Sequence, residues 1–244
     1  MLNVTMEMRK NILAKFDGVC LEGVLTELNW EDVIIDNMKG VPYHIASGVS
    51  KCVFMFKDFP NLVVKIPFTG SGTKNEDEYE YDNEKPYEDF YCASFGCGGH
   101  KLKRKWDYCE AEATVYKDAV ASGVSDFFAE TVCIGEIDNH PIYVQEIATI
   151  YYDVYFDYEC EYSGEDQKKN RSSIMEKSNN SLSEDDCWIV GQTWLAAFIE
   201  EYGTIAAINL ITFLKDEGVD DLHSENLGFI DDKPVIVDYA SFNN

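Results

Sequence analysis

The sequence predicts an α+β protein on a two-lobe plan, and three observations predict it. Short β-rich runs come first, at residues 43–68 and 129–147, with one helical stretch inserted between them. Two apolar stretches of helical length follow, at 186–200 and 203–216. A last pair of short strands lies at 227–238. A meander, then helices, then a hairpin is the order of an α+β protein, whereas an α/β protein alternates strand and helix throughout.

Each element has its own signal. Residues 4–38 read as helical, because Val4, Met8, Ile12 and Phe16 keep helical spacing and a second periodic set runs through Leu21, Val24, Leu25, Leu28, Val33 and Ile34. Residues 43–68 read as strand, turn, strand, turn, strand. Ser47-Gly48-Val49-Ser50 forms one turn and Lys57-Asp58-Phe59-Pro60-Asn61 the other, around Cys52–Phe56 and Leu62–Pro67. Residues 69–105 are a polar insertion, with eight acids between Glu76 and Asp89 and then the basic run Lys101-Leu102-Lys103-Arg104-Lys105. Both charge runs read as solvated loop. Trp106 to Ser122 is a helix with Ala111, Val115 and Ala119 on one face and Gly123 as its stop. Ala129–Gly135 and Pro141–Ile147 are two strands of a hairpin turning at residues 136–140. Residues 158–186 are rich in Ser, Asn, Glu and Lys and read as a mobile loop. The resulting division is a helical extension over 1–40, a first lobe over 41–148 and a second, mostly helical lobe over 149–244.

Composition bounds the function. The 244 residues are 45% hydrophobic, with 14 Phe, 15 Tyr and 4 Trp, which excludes disorder along the whole chain. Only 16 Gly and 6 Pro exclude a collagen-like fibre. Forty-five acidic residues against 20 basic ones give a formal charge of −25. Such a surface repels phosphate backbones and anionic lipid headgroups over roughly a Debye length, so direct binding to nucleic acid or membrane is not expected. No uncharged stretch reaches the roughly 18 residues that a membrane helix needs. The first 15 residues mix Glu7, Arg9, Lys10 and Lys15 into the apolar pattern and lack the continuous apolar core of a signal peptide. The expected location is cytoplasmic. Eight scattered cysteines, several inside apolar patterns, read as reduced thiols rather than a disulfide framework.

Three separated pieces carry chemistry. Lys65 sits inside the apolar strand Val63-Val64-Lys65-Ile66 and needs an anionic partner, because a buried unpaired ammonium is expensive. Glu112, on the following helix, supplies a carboxylate; Glu110 lies on a different helix face. Asp221-Leu222-His223-Ser224-Glu225-Asn226, followed by Asp238 at a strand end, gathers two carboxylates and a carboxamide around one hairpin. Such hard oxygen ligands suit Mg²⁺ bound to phosphate.

At these residues the chain resembles the protein-kinase-like fold. Val63-Val64-Lys65 stands where such proteins have Val-Ala-Ile-Lys, Asp221 and Asn226 keep the catalytic-loop spacing, and Val237-Asp238-Tyr239 is similar to the Asp-Phe-Gly start. The form Asp221-Leu222-His223 is closer to atypical microbial or phage kinase-like proteins and small-molecule phosphotransferases than to eukaryotic protein kinases. The resemblance covers about residues 43–68, 106–150 and 186–242. It implies an antiparallel first-lobe sheet with one helix, a reduced helical second lobe, and Mg-ATP as cofactor. Lys65 would hold the α and β phosphates and pair with Glu112. Gly48, with Ser47 and Ser50, would turn over the phosphates. Glu146 and Ala148 would present backbone groups to adenine, with Gln145 at the back of that pocket. Asp221 would orient the attacking hydroxyl, and Asn226 and Asp238 would hold Mg²⁺. The partners implied are a nucleotide and a protein or small-molecule acceptor.

The chain departs from the pattern at four places. The phosphate turn has one glycine instead of three, Val219 and Asp220 stand where His and Arg usually precede the catalytic Asp, Tyr239-Ala240 replaces Phe-Gly, and only six residues follow Asp238. An alternative reading is therefore a catalytically reduced kinase-like binding protein whose acidic surface inhibits a basic partner. Cys92, Cys97 and His100, with Cys109 nearby, also have zinc-ligand chemistry, but a glycine-rich loop with incidental thiols is the reading the sequence favours.

Overall fold

The computed structural model describes residues 2–21, 23, 25–26, 29–48, 50–69, 108–149, 172–178, 181–183, 185–219, 222 and 226–239, with Cys187 and Trp188 described in backbone only. The protein is α+β, with a five-stranded antiparallel sheet and several helices. It divides into two units: 1–113 with 130–147, and 114–129 with 148–244. The first-lobe expectation of 41–148 therefore differs in two ways. The N-terminal segment joins the sheet's unit, and residues 114–129 join the other, because Val115, Ala119, Val124, Phe127 and Phe128 belong to the second unit's apolar core.

The first unit begins with helix α1 (Met6–Leu13), capped by the Thr5 hydroxyl, which accepts from the Met8 N–H at 3.2 Å. A tight 3₁₀ turn, Ala14–Phe16, follows. Among the described residues of the second helical period expected over 21–34, the regular part is one wide π turn, Glu31–Ile35. Backbone groups there bond elsewhere. The Thr26 N–H goes to Asn29 Oδ1 at 2.8 Å, the Leu25 N–H to Thr69 Oγ1 at 2.8 Å and the Leu21 N–H to Asp138 Oδ2 at 3.0 Å. Side-chain acceptors of this kind compete with the helical ladder. Leu21, Leu25, Trp30 and Ile34 are nevertheless buried, so the apolar period marks core positions without marking a helix.

Strands β1 (His44–Ser47), β2 (Lys51–Met55), β3 (Leu62–Pro67), β4 (Thr131–Ile137) and β5 (His140–Glu146) form the sheet in the order β1-β2-β3-β5-β4, all antiparallel. The β4–β5 turn is tighter than the five residues expected. Asp138 and Asn139 both have positive φ (48° and 64°), as a two-residue hairpin turn requires. Gly135 lies at the bulge in β4 with φ +152°, where an added Cβ would sit 2.8 Å from Leu13 Cδ1 and that side chain would have to shift.

Alternation gives the sheet two unlike faces. Cys52, Phe54, Val64, Ile66, Ile142 and Val144 are on one face and buried. The N-terminal segment covers it: Phe16 meets Phe54 and Phe56 edge-on with ring centres 5.5 and 5.9 Å apart, and Trp30 meets Phe54 at 6.0 Å. The other face carries Lys51, Lys65, Thr131, Tyr143 and Gln145. The first turns of helix α2 (Tyr108–Ser122) pack on it through Cys109 and Ala113 against Tyr143.

The second unit holds a short helix α3 over 172–177, then α4 (Asp186–Ile189), α5 (Gln192–Tyr202), α6 (Thr204–Asp216) and the hairpin β6 (Leu227–Ile230) with β7 (Lys233–Ile236). Two expectations change here. The stretch expected as one helix over 186–200 breaks before α5, where Gly191 takes φ +75°. The segment 158–186, expected as a mobile loop, contains α3, and Ile174 and Leu182 are 1% and 2% exposed in the core. Two buried side chains in a polar stretch suffice to dock it, but are too few to give a period.

Candidate functional site

Glu112 is placed by α2 with its side chain fully buried. Its Oε2 accepts from Lys65 Nζ at 2.7 Å, on β3, and from Thr131 Oγ1 at 3.1 Å, on β4. Its Oε1 accepts from Lys51 Nζ at 2.7 Å, on β2. Gln145 Nε2 donates to Thr131 Oγ1 at 2.8 Å and links β5 to the same set. Lys51 and Lys65 are only 6% and 4% exposed. The register explains the convergence. Lys65 stands opposite Val53, Lys51 is two residues from Val53 and so shares its face, and Gln145 stands opposite Thr131. One carboxylate thus holds two ammonium groups and a hydroxyl in a place with almost no water, where charged bonds are strong and their removal is costly.

Sequence reasoning found Lys65, Glu112 and Gln145, and the structure brings them together. It missed Lys51 and Thr131. The argument used for Lys65, a charged residue in an apolar strand, applies equally to Lys51-Cys52-Val53-Phe54, but Lys51 follows a turn, where a solvated lysine is the ordinary case. Thr131 gave no signal, since threonine is common in strands.

Gly48 is in the β1–β2 turn, where its N–H donates to the Lys51 carbonyl at 3.0 Å. Ser47 and Gly48 are exposed and Ser50 is half-buried, its carbonyl accepting from the Phe68 N–H at 2.8 Å. Glu146 ends β5 opposite Leu62 and is half-buried, as is Ala148. Two surface hollows lie away from the Glu112 cluster, and the second includes Ser47. One of about 540 Å³ is walled by Lys15, Lys39, Asp58 and Phe59, and one of about 430 Å³ by Trp30, Glu31, Ile45 and Ser47.

In the second unit the hairpin β6–β7 closes on Asn226 and Val237, the Val237 N–H donating to the Asn226 carbonyl at 2.8 Å. Asn226 and Asp238 therefore share the open end of the hairpin. Asn226 is 8% exposed and Asp238 half-buried. The next residue, Tyr239, anchors this end: its ring is fully buried and its hydroxyl donates to the Ala129 carbonyl at 2.7 Å. A carboxylate and a carboxamide are donor types that Mg²⁺ takes, and Mg²⁺ completes its shell with water and phosphate. Among the described residues no group of three or more His, Cys, Asp or Glu is gathered for a metal.

Asp221 lies outside the described residues, as do Cys92, Cys97 and His100 of the zinc reading. Cys109, the fourth of that set, is a fully buried thiol outside any disulfide, beside Ala113 and Tyr143. Among the described residues Cys20, Cys52 and Cys133 are likewise outside any disulfide, and burial pushes the Cys52 thiol far up. No helix among the described residues is long and apolar enough to cross a membrane. No protein-family model, no curated protein and no solved structure matches the chain.

Proposed function

We propose that the protein is a kinase-like phosphotransferase that moves the γ-phosphoryl group of Mg-ATP to a hydroxyl of a protein or small molecule. The observation that carries the reading is the buried Lys65–Glu112 ion pair, 2.7 Å long, between the third strand and the helix after it. A buried ammonium fixed by a carboxylate is pre-positioned to hold phosphate oxygens without reorganising. Asn226 and Asp238, sharing one hairpin end, are the donors assigned to Mg²⁺. The metal, when bound, neutralises charge on the phosphates. Asp221 orients the acceptor hydroxyl and takes its proton; the hydroxyl oxygen bonds to the γ phosphorus as the bond to the β–γ bridging oxygen breaks, and ADP leaves.

Thermal melting with and without Mg-ATP tests this. A ligand at about 100 times its dissociation constant adds about 2.7 kcal/mol to stability. The expected result is a clear rise in Tm that Lys65→Met removes, with phosphoryl transfer from labelled ATP lost in Asp238→Ala. No rise at millimolar Mg-ATP sinks the reading.

The charge of −25 favours a second reading, a kinase-like scaffold that occupies a basic partner with its acidic surface. Capture of a basic partner that is lost at high salt, with no ATP turnover, selects it over the first.

A further inference from the structure

We infer that Lys51 is a second phosphate-holding residue, sharing Glu112 with Lys65, so that the site grips the phosphate chain with two ammonium groups; the inference rests on the nucleotide reading above. Lys51 Nζ and Lys65 Nζ each lie 2.7 Å from a different oxygen of one carboxylate. Glu112 holds both ammonium groups, and both are buried on the same face of the sheet. A lysine retained there only for packing has a poor rationale. Desolvating an ammonium costs several kcal/mol, and a methionine would fill a similar space without that penalty. Two ammonium groups aimed at one point are instead the arrangement that polyanion recognition needs.

The position of Lys51 along the chain adds a second argument. It is the first residue of β2, directly after the turn Gly48–Ser50, and its carbonyl receives the Gly48 N–H that closes this turn. The turn offers phosphate one glycine and so little close backbone approach. A side-chain ammonium at the turn's exit supplies from Lys51 the positive charge that a glycine-rich loop supplies through N–H groups. Glu112 then positions both lysines.

The test compares Mg-ATP with adenosine, which keeps the base and sugar but has no phosphate, by calorimetry on the full-length chain. Wild type and Lys51→Met are expected to bind adenosine within twofold of each other, while Lys51→Met binds Mg-ATP at least tenfold more weakly and with a shallower salt dependence. Equal weakening of both ligands, or unchanged Mg-ATP binding, overturns the assignment of Lys51 and leaves the nucleotide reading standing. Wild type binding neither ligand overturns the nucleotide reading and this inference with it. Should Lys51→Met not fold, acylation of lysines in the wild type decides. Mg-ATP is expected to slow modification of Lys51 at least fivefold where adenosine does not, and equal rates overturn the proposal.

Discussion

Two buried carboxylates, one in each unit, are held by lysine and by a hydroxyl-bearing residue, yet they answer different needs. Asp186 begins α4, 6% exposed, and works locally. The Ser183 N–H donates to its Oδ2 at 2.7 Å and its own N–H donates to Ser183 Oγ at 3.2 Å, a reciprocal cap that satisfies two donors at a helix start. It also pairs with Lys215 near the end of α6. Remove the acid and a helix loses its cap. Glu112 sits inside α2, past its first turn, where the backbone needs no cap and an apolar residue would suit the helix equally. Its partners come from three strands: Lys51, Lys65 and Thr131. A buried acid that its own helix does not require, and that draws two lysines out of water, is an expense folding does not explain. Secondary structure accounts for the Asp186 carboxylate but not for the Glu112 carboxylate, and the latter marks the candidate site.

The largest effect that would break this contrast is at Glu112 itself. Glu112→Ala removes the acid beneath two buried ammonium groups and is expected to cost about 3–5 kcal/mol, read from denaturant unfolding. A loss below about 1 kcal/mol would mean that the lysines relax into water and that the cluster is not a fixed site. Thr131→Val is next. It keeps the shape but removes the hydroxyl that donates to Glu112 and accepts from Gln145. The expected loss is about 1–3 kcal/mol, because a buried carboxylate oxygen and a buried amide each lose a partner. A neutral Thr131→Val would show that the network is held by the lysines alone.

Asp186 supplies the pH-dependent arm. Burial pushes its carboxyl up, but the bonds from Lys215 and Ser183 outweigh this and hold it below the usual carboxylate value. A group whose folded-state pKa is depressed adds stability above its unfolded pKa and loses it as pH falls through the folded one. Stability of the wild type is therefore expected to fall as pH drops below about 4, and Asp186→Asn, which keeps the capping oxygen without the charge, flattens that fall. Asp186→Ala loses cap and ion pair together, at a cost of about 1–2 kcal/mol at neutral pH. An unchanged acid limb in Asp186→Asn would assign the acid sensitivity to other carboxylates.

What the sequence reveals follows the same division. Lys65 is legible because nothing apolar explains a lysine between Val64 and Ile66, and Glu112 because an acid on the next helix is the partner such a lysine needs. The two hairpins are legible from turn chemistry, with Asp138-Asn139 and Asp231-Asp232 both at positive φ. Lys51 is illegible because its burial depends on a helix 61 residues away, and no local pattern separates it from a solvated lysine at a strand end. The segment before β1 misleads for a related reason. The spacing of Leu21, Leu25 and Ile34 records burial against the sheet, while the Thr69 hydroxyl and the Asp138 carboxylate take the N–H groups of Leu25 and Leu21 that a helix would use.

The smallest effect sets the baseline that gives the others meaning. Lys39 and Asp17 also form an ion pair, but both side chains are 67% exposed. Water competes for each charge, ions screen the pair, and holding two long side chains in one geometry costs entropy that offsets the attraction. Lys39→Ala is therefore expected to change stability by no more than about 0.5 kcal/mol, and less at high salt. Glu112, Asp186 and Asp17 then rank by how far water is excluded and by how many donors each carboxylate would strand. If Lys39→Ala matched Asp186→Ala in size, burial would not be what orders them, and the weight placed on the water-free Glu112 cluster would have no physical basis.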